Sequence, residues 1–155
     1  MSPIIKKTLT NFLLFFAPLL ISETKDISIV IHGGAGWFSS MTEDEIEGIE
    51  SALNNAADLG YGIMLEGGSS LDAVEKAIIS LENNPLFNAG KGSVYTSELK
   101  QEMDASIMDG SNLDAGAVAS ITSVKNPIKL ARHVMENTQH VMFSSTGAEK
   151  IPNEA

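Results

Sequence analysis

The stretch Asn84-Pro85-Leu86-Phe87-Asn88-Ala89-Gly90-Lys91-Gly92-Ser93-Val94-Tyr95-Thr96 constrains this chain more than any other. Asn-Pro ends a helix, because the residue before proline is pushed out of the helical region. Gly90 and Gly92 supply turns, and a polar Asn88 stands between apolar neighbours. That mixture describes a loop held in one shape between a helix and a strand. Two other segments flank it and belong to the same argument: Ile31-His32-Gly33-Gly34-Ala35-Gly36 before, and Met103-Asp104-Ala105-Ser106-Ile107-Met108-Asp109-Gly110 after.

The flanking residues divide into elements. Ile27–Ile31 is a β-branched run ending in Gly-Gly, the pattern of a buried strand that stops at a tight turn. Gly33, Gly34 and Gly36 can take positive φ and let the backbone approach a neighbour closely. Thr42-Glu43-Asp44-Glu45 forms a capping box, so these acids mark a helix start and not a metal site. Ile46, Ile49, Leu53, Ala56, Ala57, Ile63 and Met64 follow at helical spacing. Gly67-Gly68 ends that helix, and Ser69 or Ser70 caps the next. Leu71, Val74, Ala77, Ile78 and Leu81 give the second helix its buried face, up to Asn84-Pro85. An antiparallel helix pair results.

Beyond the loop, Val94-Tyr95-Thr96, Glu102–Met108 and Ala115–Val124 read as strands of a β-meander. A polar turn at residues 97–101 and the Asp109-Gly110 turn join them. Lys125-Asn126-Pro127 opens a helix over Ile128–Asn137 with Ile128, Ala131, Val134 and Met135 inward. Gln139–Ser144 reads as a last short strand, and a helix begins near Gly147. The fold class is therefore mixed α/β.

Composition narrows the chemistry. The 155 residues suffice for one domain with a core. A net charge of -10 argues against nucleic acid as a partner, since phosphate binding needs clustered Lys and Arg. With no cysteine, disulfides, thiolate metal sites and Cys nucleophiles are excluded. Lys6 and Lys7, the apolar run Phe12–Ile21 and then Ser22 describe a secretory signal peptide over residues 1–22. The run is shorter than the ~20 apolar residues of a membrane span. The expected product is an exported protein, periplasmic or secreted, over residues 23–155, with no membrane segment once the leader is cut.

Several familiar sites fail on spacing. Gly34-Ala35-Gly36 lacks the last glycine of a dinucleotide fingerprint. His32-Gly33-Gly34 resembles a lipase oxyanion loop, but the chain has no Gly-x-Ser-x-Gly elbow. Glu102, Asp104 and Asp109 are near one another, yet no further ligand pattern accompanies them, so they read as solvated strand residues and a turn aspartate. His32, His133 and His140 lack zinc spacing. Asn88 is the best single candidate for a site residue. Its carboxamide must pair with backbone or with a ligand, and composition leaves both open.

Six segments in order resemble one family. They are Ile31–Gly36, Gly67-Gly68-Ser69-Ser70-Leu71-Asp72-Ala73-Val74, Pro85–Ser93, Met103–Gly110, Ala115-Gly116-Ala117-Val118-Ala119 and Lys125-Asn126-Pro127-Ile128. Together they are similar to the N-terminal part of the plant-type L-asparaginase / isoaspartyl peptidase (β-aspartyl-peptidase) family. The resemblance implies the N-terminal part of an N-terminal-nucleophile hydrolase, a four-layer αββα sandwich. It implies a precursor that cuts itself into α and β subunits assembled as an (αβ)2 heterotetramer. The new N-terminal Thr of β attacks the side-chain amide of asparagine or the isopeptide bond of β-aspartyl dipeptides, its own amine serving as base.

The family's nucleophile follows Gly. Thr8, Thr10, Thr24, Thr42, Thr96, Thr122, Thr138 and Thr146 are all the threonines here, and none follows Gly. The expectation is thus no catalytic nucleophile in this chain, an α portion incomplete at its C-terminus, and a β subunit of the same precursor as partner. By the same resemblance Asn88, His32, Gly33 and Gly34 support the active site. No organic cofactor is implied. A structural sodium ion is, on the backbone carbonyls of Leu81, Glu82, Asn84, Phe87, Ala89 and Lys91. Two other readings stand beside this one: a noncatalytic remnant or binding module, and a glycosylasparaginase-type relative.

Overall fold

A computed structural model describes residues 26–36 and 38–151. The leader expected at residues 1–22 and the last residues of the expected C-terminal helix lie outside them. The order is a 3-10 turn at Phe38–Ser40, α1 (Glu43–Leu65), α2 (Ser70–Glu82), a 3-10 turn at Gly90–Gly92, β1 (Met103–Met108), β2 (Ala115–Ile121), α3 (Pro127–Asn137), β3 (Met142–Ser144) and α4 (Ser145–Glu149). The mixed α/β class is as expected. Among the described residues no helix is long and apolar enough to cross a membrane.

Both long helices begin where their side chains satisfy the free amides of a first turn. Thr42 accepts from the Glu45 amide, and Glu45 accepts in return from the Thr42 amide at 2.8 Å. Ser69 and Asp72 repeat the arrangement at α2. The two helices pack through small residues. Ala56 and Gly60 of α1 and Ala73 and Ala77 of α2 are all buried. A Cβ on Gly60 would stand 2.9 Å from the Ala73 carbonyl, so the backbones meet closely there. Leu81 and Phe87 complete this first apolar cluster, with Leu53, Ile29 and Ile31 packed against it.

The second cluster lies between the sheet and α3. β1 pairs antiparallel with β2, and β2 runs parallel to β3. Ile107, Val118 and Ile121 meet Ile128, Leu130, Ala131 and Val134. Gly116 permits the contact, because a Cβ there would stand 2.6 Å from the Met135 amide nitrogen. One irregularity interrupts the ladder: Met103 faces Ile121, but Ala105 faces Val118. β2 thus holds an extra residue, and Ser120 takes φ +53. The Asp104 carboxylate accepts from the freed Ser120 amide at 2.9 Å.

Several expectations are corrected. Ile27–Ile31 joins no ladder among the described residues; Ile27, Ile29 and Ile31 are partly buried, while Val30 is 91% exposed. Its alternation persists, but a strand also needs a paired neighbour. Of Gly33, Gly34 and Gly36, only Gly34 has positive φ. Val94-Tyr95-Thr96 is no strand either. One bridge joins Tyr95 to Gln101, and the meander reduces to a hairpin. The hairpin turn spans residues 109–114, closed by the Leu113 amide on the Asp109 carbonyl, and Leu113 rather than Gly110 takes positive φ. Val74 is exposed, and the unexpected buried members of α2 are Ala73 and Glu82. α4 begins at Ser145, two residues before the expected start.

Candidate active-site cleft

The loop after α2 is organised by its own main chain. The Asn84 side chain accepts from the Leu86 amide at 3.0 Å, a turn that carries the chain past Pro85. Phe87 then inserts into the first apolar cluster at 6% exposure. Bonds from Ala89 to the Phe87 carbonyl, Gly92 to Ala89 and Ser93 to Gly90 curl the segment back on itself. Gly90 holds φ +52. A Cβ on Gly90 would collide with the Glu82 carbonyl, and one on Gly92 would stand 2.7 Å from the Pro85 carbonyl oxygen. Both glycines are therefore dictated by close approach as well as by shape.

His32, Gly33, Gly34 and Asn88 line one cleft of about 700 Å³, with Leu53 and Phe87 among its apolar walls. Residues more than fifty positions apart in sequence thus share a surface. His32 Nδ1 accepts from the Gly34 amide at 3.0 Å, and Gly34 has φ +100. Gly33 packs tightly: a Cβ there would stand 3.2 Å from Leu53 and 3.3 Å from Phe87. So Phe87 serves both the loop that carries Asn88 and the His-Gly-Gly segment. Asn88 Oδ1 accepts from the Val94 amide at 3.0 Å, while its NH2 has no partner among the described residues. Backbone therefore claims one end of the carboxamide and leaves a donor at the cleft.

The other candidates disperse. Asp104 serves the bulge at Ser120, and Asp109 accepts from the Ser111 amide at 2.8 Å, which holds its carboxyl below the usual range. His133 contacts Asn137, and His140 meets the Phe143 ring edge-on. Among the described residues no group of His, Asp or Glu is arranged to hold a metal.

Glu82 is expected only as a backbone carbonyl of the loop, yet its side chain is buried as well. It is 3% exposed. Its Oε1 accepts from the Ile128 amide at 2.9 Å and its Oε2 from Asn126 Nδ2 at 3.0 Å. Asn126 precedes α3 but makes no side-chain cap of its own. Glu82 supplies that cap from another helix. Burial pushes its carboxyl upward, the Asn126 and Ile128 donors oppose the push, and the Glu75 charge adds to it. A signal existed: Glu82 lies four residues beyond Ile78 on the inward stripe of α2.

Comparison with known proteins agrees with this architecture. A family described as asparaginase matches residues 25–155. The chain is 49% identical over 123 residues to the isoaspartyl peptidase/L-asparaginase of Homo sapiens, covering 79% of this chain and 39% of that protein. It is 52% identical over 125 residues to the plant-type L-asparaginase of Pyrococcus furiosus, covering 81% and 40%. The mouse isoaspartyl peptidase/L-asparaginase is 44% identical over 137 residues, covering 88% and 41%. The chain spans about two fifths of the length of these curated relatives. On the family match and these identities, the chain belongs to the asparaginase family, with the N-terminal-nucleophile hydrolase fold of that family.

Proposed function

We propose that this chain is the α portion of a hydrolase that cleaves β-aspartyl (isoaspartyl) dipeptides and L-asparagine. The observation that carries the reading is the convergence of His32-Gly33-Gly34 and Asn88 on one cleft, in a chain similar to isoaspartyl peptidases. In this reading the nucleophile is a threonine of a partner segment, released as an N-terminal residue whose amine acts as its base. The Asn88 NH2 orients a polar group at the cleft, and Gly33, packed on Leu53 and Phe87, holds the His-Gly-Gly segment beside it. The partner also covers the outer face of the sheet, where Met108 and Met142 are exposed.

The loop residues fit a structural sodium ion. The carbonyls of Leu81, Asn84, Phe87 and Ala89 each accept one main-chain bond, which leaves each oxygen a second lone pair. The Glu82 carbonyl turns toward Gly90. Neutral oxygens on a tightly curled loop suit a hard monovalent cation. In this reading those five carbonyls and that of Lys91 hold the ion, which fixes the loop and takes no part in the chemistry.

The test compares the chain alone with a precursor in which it is followed by a segment carrying Gly-Thr-Val-Gly. Aspartate release from a β-aspartyl dipeptide is expected only from the precursor. Replacing that threonine by alanine should lower turnover on the order of 10⁴-fold or more. Turnover by this chain alone would overturn the assignment of the nucleophile to a partner segment. An inactive, correctly folded precursor would overturn the enzyme reading.

A further inference from the structure

Glu82 occupies two structures at once. Its carbonyl lies against Gly90 in the curled loop, close enough that no Cβ fits at that glycine. Its carboxylate lies at the start of α3, bonded to the Ile128 amide and to Asn126 Nδ2. The loop's own main-chain bonds are local, so this side chain ties the end of α2, and with it the Glu82 carbonyl, to the start of α3. Asn126 also reaches Asn83 Oδ1 at 3.5 Å, on the next residue of the loop. A cavity of about 270 Å³, lined by Glu82, Gly90, Lys91, Val124 and Lys125, separates the loop from the segment leading into α3. The Glu82 carboxylate and the Asn126 side chain bridge the two parts beside that cavity.

We propose that Glu82 is a positioning residue: by capping α3, its buried carboxylate sets the carbonyl cage of the 81–91 loop, so cation affinity in the loop depends on α3. The proposal rests on the reading of that loop as a sodium site. No carboxylate atom need touch the ion. The carboxylate acts through its own backbone and through Asn126, a residue remote in sequence from every carbonyl of the cage.

The test titrates sodium against choline at constant ionic strength on the full-length protein and its Asn126→Ala, Glu82→Ala and Glu82→Gln variants. The readout is the sodium concentration that gives half the rise in thermal midpoint. Asn126→Ala and Glu82→Ala should raise it about threefold or more, and Glu82→Gln, which keeps an acceptor for Ile128, should restore most of the loss. Asn126→Ala leaves the Ile128 bond intact, so it is the variant expected to fold if Glu82→Ala does not. Lower midpoints with an unchanged sodium requirement would assign Glu82 a structural role alone and overturn the proposal. If the unmodified protein shows no sodium response, the sodium reading fails by itself. The coupling is then judged from hydrogen exchange of the Gly92 and Ser93 amides: acceleration in Asn126→Ala supports it, and unchanged exchange overturns it.

Discussion

Gly90 shows how much of the loop is decided one residue at a time. Its φ of +52 lies in the left-handed region, and a Cβ would collide with the Glu82 carbonyl. Left-handed backbone costs a non-glycine residue about 1–2 kcal/mol, and overpacking adds a comparable amount. Gly90→Ala should therefore lower stability by about 2–4 kcal/mol in denaturant unfolding, more than the same change at Gly62, where nothing lies within 4 Å of an added Cβ. Asn88 shows the opposite kind of legibility. Its type and apolar neighbours marked it as a residue needing partners. That one end would bond Val94 and the other find no partner among the described residues was decided by a curl that no local pattern specifies.

At the scale of elements, the helix starts were readable and the helix contacts were not. Both capping boxes are encoded within four residues and form as read. Each leaves a carboxyl below its usual range: Glu45 through the Thr42 amide first, and Asp72 through the Ser69 hydroxyl and then Arg132. These groups contribute stability above their unfolded values that is lost as pH falls through the folded ones. The cap of α3 has the opposite sign. Glu82 is pushed up by burial, so its contribution is fully present below the ordinary glutamate value and is lost as pH rises through its raised one. As pH rises from the ordinary glutamate range toward neutrality, the thermal midpoint of the unmodified protein should fall relative to that of Glu82→Gln. Parallel curves for the two proteins would show that the Glu82 carboxyl does not titrate in that window.

Among the described residues there are two apolar clusters, joined by one shared apolar side chain and by polar groups. Ile78 touches both. Beside the Glu82 cap, Arg132 of α3 bonds Asp72 and Glu75 of α2 at 2.7 Å each and Glu136 of its own helix at 2.8 Å. The Arg132 side chain is only 21% exposed, so its charge is less screened than in a surface pair. Arg132→Ala should cost about 1–2 kcal/mol and leave Asp72 and Glu75 as near neighbours without their cation. Its destabilisation should shrink in high salt; a salt-independent loss would point to packing of the side-chain stem instead.

Local patterns by themselves determined the helices, the β1–β2 hairpin, the caps and the order of motifs that marks the family. These depend on residues within a turn or two of one another, where periodicity and capping chemistry act. Tertiary structure alone decided four things. Ile27–Ile31 stays unpaired among the described residues, and Val94–Thr96 makes a single bridge, because a strand exists only with a partner. Ser120 takes the bulge, held by an aspartate from the neighbouring strand. His32 and Asn88 meet across one cleft because Phe87 packs under both segments. Glu82 lies at the end of its own helix and is buried as the cap of another. Which hydrogen bonds a buried carboxylate makes depends on what folds against it, and that partner lies 46 residues along the chain.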